Sequence, residues 1–370
     1  MRLRSATGGS LVKNITDPAI LFFFLGAFIG LVRSNLEIPQ QVAKFLSLYL
    51  LLALGFKGGQ ALGDAGFSGD AAKVIGAAVL LALVTPALGF VVLRRRVNPF
   101  DAAAIAATYG SVSAVTFATG SQFVASRGEE AGGYLTVALV LMESPAIIMA
   151  VLLATWVRSR PHTVAADVDV GAGRLAAADA RAIVPEADHP AGQPGPDETG
   201  HPHEGGPLSI GEVLREAFTD GAHLLLIGSM VVGYVSGDDG GEAMAPFTND
   251  LFKGLLAFFL LEMGLLVARQ LREVRDVGPF LVGFGIVTPF VNAAMAMALG
   301  AALDLGVGDL TLLAVLAASG SYIVVPAVIR YAIPEARPSR YFTLALGVTF
   351  PLNVIVGIPV YFEVAKTIAG

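Results

Sequence analysis

Apolar runs close to the ~20 residues needed to cross a hydrocarbon layer recur along both halves of this chain, separated by short polar turns. They fall near 18–32, 42–62, 71–93, 100–125 and 131–157, and again near 222–236, 247–268, 278–300, 309–331 and 341–366. Between the two sets lies a stretch rich in Ala, Gly, Pro, Asp and Glu and nearly free of aromatics, too poor in apolar side chains to order itself. The pattern predicts an all-α polytopic membrane protein of ten transmembrane helices, divided into 1–157, a flexible linker over 158–221, and 222–370. The linker's tail, Ile210 to Phe218, has the pattern of a short amphipathic surface helix. The first run, Pro18 to Val32, follows Arg2, Arg4 and Lys13 as a secretory signal would. Arg33-Ser34-Asn35-Leu36-Glu37 comes next instead of a small-residue cleavage site, so the run reads as the first span.

Composition supports this reading. Of 370 residues, 55% are hydrophobic and only 15% charged, against about a quarter charged in ordinary soluble domains. The net charge of −6 comes largely from the linker and short acidic loops, and no basic patch interleaved with aromatics suggests nucleic acid. With no cysteine, disulfides, thiolate metal sites and cysteine nucleophiles are excluded. His162, His189, His201 and His203 lie in the linker, where His201-Pro202-His203 is a weak metal signal. Metalloprotease, nucleophile-elbow, Walker and dinucleotide-binding motifs are all missing, and an enzyme is not expected.

The two sets of spans match in order and at nearly constant spacing. Val84-Thr85-Pro86 recurs as Val287-Thr288-Pro289; Lys44, Gly55 and Leu62 as Lys253, Gly264 and Leu271; Gly110-Ser111 as Gly320-Ser321; Pro145 as Pro351. Several ordered matches imply an internal duplication. Five spans is an odd number, so the second copy enters from the opposite side, giving 5+5 inverted repeats, an architecture common among secondary transporters.

Short cytoplasmic loops collect Lys and Arg. With both termini outside and the linker cytoplasmic, the inner side holds Arg33, Lys44, Arg94-Arg95-Arg96, Arg158, Arg160, Arg269, Arg272, Arg275, Arg330, Arg337 and Arg340. The outer loops carry Asp238, Asp239, Glu242, Asp304 and Asp309, with Lys73 and Arg127. Arg2, Arg4 and Lys13 vote the other way and are outnumbered.

The fourth span of each copy is interrupted by small polar residues: Thr108-Tyr109-Gly110-Ser111-Val112-Ser113 in the first, Ser319-Gly320-Ser321-Tyr322 in the second. Glycine lowers helix propensity, and serine caps a restarted helix. Two helices broken at the middle would aim free N–H groups at one place, each end carrying about half a positive charge, which suits a small monoanion. Ser111, Ser113, Ser319 and Ser321 would add hydroxyl donors. Small residues also let intact helices pack closely, and that alternative stays open from sequence. Glu143, directly before Ser144-Pro145, and Glu262 are carboxylates inside apolar runs, where each costs a few kcal/mol unless paired or facing a cavity. Either could hold a coupling cation or a proton. The plainer roles are an interhelical hydrogen bond for Glu143 and a pair with Lys57 for Glu262. Asn292 and Asn353, following Pro289 and Pro351, read as packing residues.

Three stretches carry a resemblance: Leu-Tyr-Leu-Leu-Leu-Ala-Leu-Gly-Phe-Lys-Gly-Gly (48–59), Ala-Thr-Tyr-Gly-Ser-Val-Ser-Ala-Val-Thr-Phe (107–117) and Leu-Met-Glu-Ser-Pro-Ala-Ile-Ile (141–148). They resemble the sodium-dependent bicarbonate transporter family of the cyanobacterial carbon-concentrating system, over nearly all of the chain outside the linker. The resemblance implies inward symport of sodium with bicarbonate across the plasma (inner) membrane, by a core moving against a gate. It also implies homotrimers and inhibition by a small cytoplasmic PII-like protein. Carried over by position, it places substrate at Gly110, Ser111, Ser113, Ser319, Gly320 and Ser321, and sodium at Thr116 and Glu143. A sodium-coupled transporter of a small organic anion, a cation/proton antiporter using Glu143 or Glu262, and an anion-binding membrane sensor are the competing readings.

Overall fold

The computed structural model describes residues 16–65, 69–159 and 221–370. The basic N-terminal residues and the linker, with its four histidines and the expected surface helix, lie outside the described residues.

Among the described residues every regular element is helical. In chain order they are α1 (Pro18–Leu31), α2 (Gln40–Ala65), α3 (Gly69–Leu93), α4 (Pro99–Gly110), α5 (Ala114–Ser126) and α6 (Tyr134–Arg158). After the linker come α7 (Gly221–Ala245), α8 (Leu251–Val277), α9 (Pro279–Ala302), α10 (Val307–Ala318), α11 (Val324–Ala332) and α12 (Pro338–Ala369). Among the described residues, seven helical stretches are long and apolar enough to cross a membrane, one of them the 57-residue run Gly221–Val277 that holds both α7 and α8.

Local chemistry sets the ends. Asp17 caps α1, its carboxylate accepting from the Ala19 N–H at 2.9 Å, and Pro18 takes the first helical position, where no N–H is needed. Asn98 and Pro99 open α4 in the same way. Gly278 has φ of 91°, a backbone conformation that side chains disfavour, and Pro279 follows to start α9. Two widened π turns, Leu344–Thr349 and Asn353–Gly357, interrupt α12 on either side of Pro351, as expected where a proline removes a ladder hydrogen bond.

The packing pairs elements across the two halves. Helix α1 lies along α8, and α2 lies along α7. Both crossings are so close that small residues are obligatory: a Cβ on Gly26 would strike the Leu261 carbonyl, and one on Gly264 the Phe23 carbonyl. At the other crossing a Cβ on Gly59 would strike the Met230 carbonyl, and one on Gly233 the Phe56 carbonyl. Close backbone approach at small residues is the usual source of helix affinity where lipid offers no hydrophobic contrast. In the remaining body α3 packs on α4 and α6, α9 packs on α10, and α10 also meets α5 and the end of α12.

At its centre sit two short apolar helices, α4 and α10, each of 12 residues. Every residue of α4 from Asp101 to Gly110 is buried, as is every residue of α10 from Leu310 to Ala318. A helix apolar all round belongs inside the protein, and its neighbours bear the lipid-facing surface. That surface is supplied by exposed side chains such as Leu88 and Val92 of α3, Leu152 of α6, and Val231 and Val235 of α7.

The glycine crossings can be checked directly. Gly59→Leu forces two backbones apart and should cost roughly 1–3 kcal/mol or more, visible as a lower thermal transition in detergent. Gly283→Ala, where a Cβ meets nothing within 4 Å, should leave the transition unchanged or slightly raised.

Candidate functional site

Helix α4 stops at Gly110, and the chain runs extended through Ser111 (φ −97°, ψ −176°) to Ser113, which caps α5. The Ser113 hydroxyl oxygen accepts from the Thr116 N–H at 3.2 Å and from the Thr116 hydroxyl at 2.9 Å. In the second half α10 stops at Ala318, Ser319 is extended (φ −82°, ψ 162°), and α11 restarts at Val324. Both interruptions predicted from sequence are therefore present, and the intact-helix alternative does not hold.

The two breaks hydrogen-bond to each other. The Ser113 N–H donates to the Ser319 hydroxyl at 3.0 Å, and the Ser321 N–H donates to the Thr108 carbonyl at 3.0 Å. The Ser319 hydroxyl donates in turn to the Leu316 carbonyl at 2.9 Å, and the Ser321 oxygen accepts from the Val325 N–H at 3.3 Å. Asn353 of α12 donates to the Ala318 carbonyl at 2.8 Å and is itself held by the Tyr361 hydroxyl at 2.8 Å. These bonds give partners to several of the backbone groups that the breaks free. The Ser111 hydroxyl is buried without one, a condition that costs about 1–3 kcal/mol unless a ligand or water completes it.

A cavity of about 70 Å³ opens beside the breaks, lined by Ser113, Ser321 and Tyr322, by Leu50 and Leu54 of α2, and by Glu143 and His223. At about 10–15 Å³ per water on this measure, it has room for a handful of waters or one small oxyanion. Glu143 of α6 pairs with His223 of α7 through its Oε2 and the imidazole Nε2. Their side chains are only 13% and 10% exposed, so the pair is held out of bulk water. It joins α7, packed on α2, to the body that carries the breaks.

The sequence-predicted residues separate into groups. Ser113, Ser321 and Glu143 line the cavity. Ser111 and Ser319 are buried at the breaks just behind it. Thr116 is one turn into α5, its hydroxyl spent on Ser113. Gly110 packs against Pro86: a Cβ there would sit 2.7 Å from the proline ring. At Gly320 an added Cβ would make only ordinary van der Waals contact, at 3.6 Å or more, with Ala345 and the Thr108 carbonyl. Glu262 is not in the cavity lining and is not paired with Lys57, contrary to the plainer expectation. Its Oε2 is buried without a partner, while the Lys57 ammonium lies 5.7 Å from the centre of the Phe252 ring. Asn292 is buried with its Nδ2 unpaired. Among the described residues no group of three or more His, Asp and Glu side chains could hold a metal ion.

Sequence reasoning missed the role of His223, which reads as an interfacial residue, and of Asn353. A carboxylate inside an apolar run does announce the need for a partner, but only the pairing of helices across the two halves reveals which one.

A family model for the Na+-dependent bicarbonate transporter superfamily matches residues 18–366. The chain belongs to that superfamily. A search of curated proteins found no match. Membership, together with the apolar helices, makes this a multi-pass membrane protein and a transporter-family member, not an enzyme. It also gives sodium and bicarbonate as the solutes to consider at the breaks of this bicarbonate-transporter family member.

The Glu143–His223 pair should behave as a unit. Removing one partner of a buried pair costs roughly 3–5 kcal/mol, so Glu143→Ala and His223→Ala should each destabilise. The double variant should cost clearly less than the two singles combined, measured as a double-mutant cycle on thermal unfolding.

Proposed function

We propose that the chain is a sodium-dependent bicarbonate symporter that works by alternating access, with ten spans arranged as 5+5 inverted repeats. The observation that carries this reading is the pair of buried, broken helices meeting at one cavity, with the Ser111 hydroxyl left unpartnered behind it. The repeat reading is supported by exchange symmetry in the packing: α1 on α8 answers α7 on α2, and α3 on α4 answers α9 on α10. Bicarbonate takes the space bounded by Gly110, Ser111, Ser113, Ser319, Gly320 and Ser321, where hydroxyl donors and the starts of α5 and α11 favour negative charge. Glu143 lines the same cavity and offers carboxylate oxygen to sodium, with Thr116, whose hydroxyl is bonded to Ser113, and Glu262, which lies outside the cavity lining, as the other oxygen donors in this reading.

The body of α3–α6 and α9–α12 moves against the frame of α1, α2, α7 and α8, exposing the site to either side in turn. One sodium per bicarbonate moves no net charge, so the sodium gradient alone, about 1.4 kcal/mol per tenfold ratio, would drive uptake. In this reading both termini are outside, the linker is cytoplasmic, the membrane is the plasma (inner) membrane, and the protein assembles as a homotrimer open to a PII-like regulator.

The Glu143–His223 pair favours one rival, a cation/proton antiporter, because two titratable groups share the cavity. Uptake of labelled bicarbonate into proteoliposomes decides between them. The account expects uptake that requires an inward sodium gradient and is lost, at least tenfold, in Ser111→Ala/Ser321→Ala. Proton movement without bicarbonate would instead favour the antiporter, and anion binding without flux would identify a sensor.

A further inference from the structure

Two carboxylates far from the cavity occupy matching places. Helices α4 and α10 are each 12 residues long, and each has an aspartate at its third residue, Asp101 and Asp309. Asp101 is 3% exposed; its Oδ1 accepts from the Arg337 N–H at 2.8 Å and its Oδ2 from the Arg340 guanidinium at 2.9 Å. Arg337 and Arg340 open α12. Asp309 accepts from the Gly132 N–H at 2.7 Å through Oδ1 and from the Tyr134 hydroxyl through Oδ2. Gly132 and Tyr134 open α6. Each aspartate therefore ties the start of one half's broken span to the start of the last long helix of the other half. At the second tie the backbones also touch: a Cβ on Gly308 would strike the Glu130 carbonyl.

Both ties suit their carboxylates, since each acid sits between two helix N-termini, and the Arg340 contact adds a charge-assisted bond. From sequence, Asp309 reads merely as an outer-loop acid and Asp101 has no assigned role.

We infer that Asp101 and Asp309 are positioning residues for the anion site, clasps that fix the far ends of α4 and α10 so that the two breaks stay in register. This rests on the proposed function for its substrate, though not for its geometry. From the clasp to the break is nine residues, roughly 13 Å at 1.5 Å per residue. A tilt of about 5° pivoting at the clasp displaces the break by about 1 Å, enough to cost a site much of its affinity. The clasps and the cross-break bonds Ser113–Ser319 and Ser321–Thr108 thus hold both ends of each half-helix to the opposite half. All four elements lie in the body proposed to move, so the clasps stay closed throughout the cycle.

The test uses Asp101→Asn, Asp309→Asn and the milder Tyr134→Phe in full-length protein, with two readouts. Backbone hydrogen exchange at 111–113 and 319–323 should speed up about tenfold in the aspartate variants, with α1 and α8 unchanged. The KM for bicarbonate uptake should rise about tenfold, with Vmax per folded protein held within about twofold. Because the natural chain has no cysteine, a Tyr134→Cys/Asp309→Cys pair can be joined by a short bifunctional thiol reagent, and joining it should restore the low KM. Unchanged exchange at the breaks in folded variants would overturn the inference, as would transport abolished by the cross-link. A wild-type protein that takes up no bicarbonate would sink the proposed function instead, and the exchange readout would then decide the clasps alone.

Discussion

A backbone that leaves the helical ladder inside a protein must find new partners for the groups it releases, and α4 and α10 both leave it in the most buried part of this molecule. The answer is reciprocal. Each break supplies what the other lacks: Ser113 N–H to Ser319, Ser321 N–H to Thr108. Neither interruption is self-sufficient, so the two halves of the chain have to fold against each other before either fourth span is satisfied. What is left over is polar and sits beside a cavity, which is why the breaks are proposed as the binding site.

Around that centre the molecule separates into a body and a frame. The frame is made of two tight helix pairs whose contact depends on glycine. The body is tied internally by the cross-break bonds and by the aspartate clasps. The Glu143–His223 pair is different in kind: it joins α6 of the body to α7 of the frame and lines the cavity as it does so. The movement of body against frame proposed above would stretch or break that contact.

Much of this was legible in the sequence. Helical spans were readable from hydropathy because each apolar run is bounded by charge or by Pro and Gly, and the interruptions were readable because Gly-Ser occurs at corresponding places in both halves. The side-chain partnerships were not. Glu262 looked like a partner for Lys57, yet Lys57 takes the Phe252 ring and the Glu262 Oε2 is left unpaired. His223 gave no sign of its partner, and α7 brings it to Glu143. Asp309 looked like a loop acid and Asp101 carried no signal at all, because the partners of both are more than a hundred residues away. Hydropathy reports the environment of a segment; it carries no record of which segment lies opposite.

The central claim is that one small anion occupies the space between the two breaks. The most direct test is a cryo-electron-microscopy map of the full-length protein in lipid with sodium and bicarbonate, compared with one prepared in chloride alone. The account predicts bicarbonate-dependent density within hydrogen-bonding distance of Ser111 or Ser113 on one side and Ser319 or Ser321 on the other. Bicarbonate density elsewhere in the protein, with the space between the breaks unchanged, would contradict it.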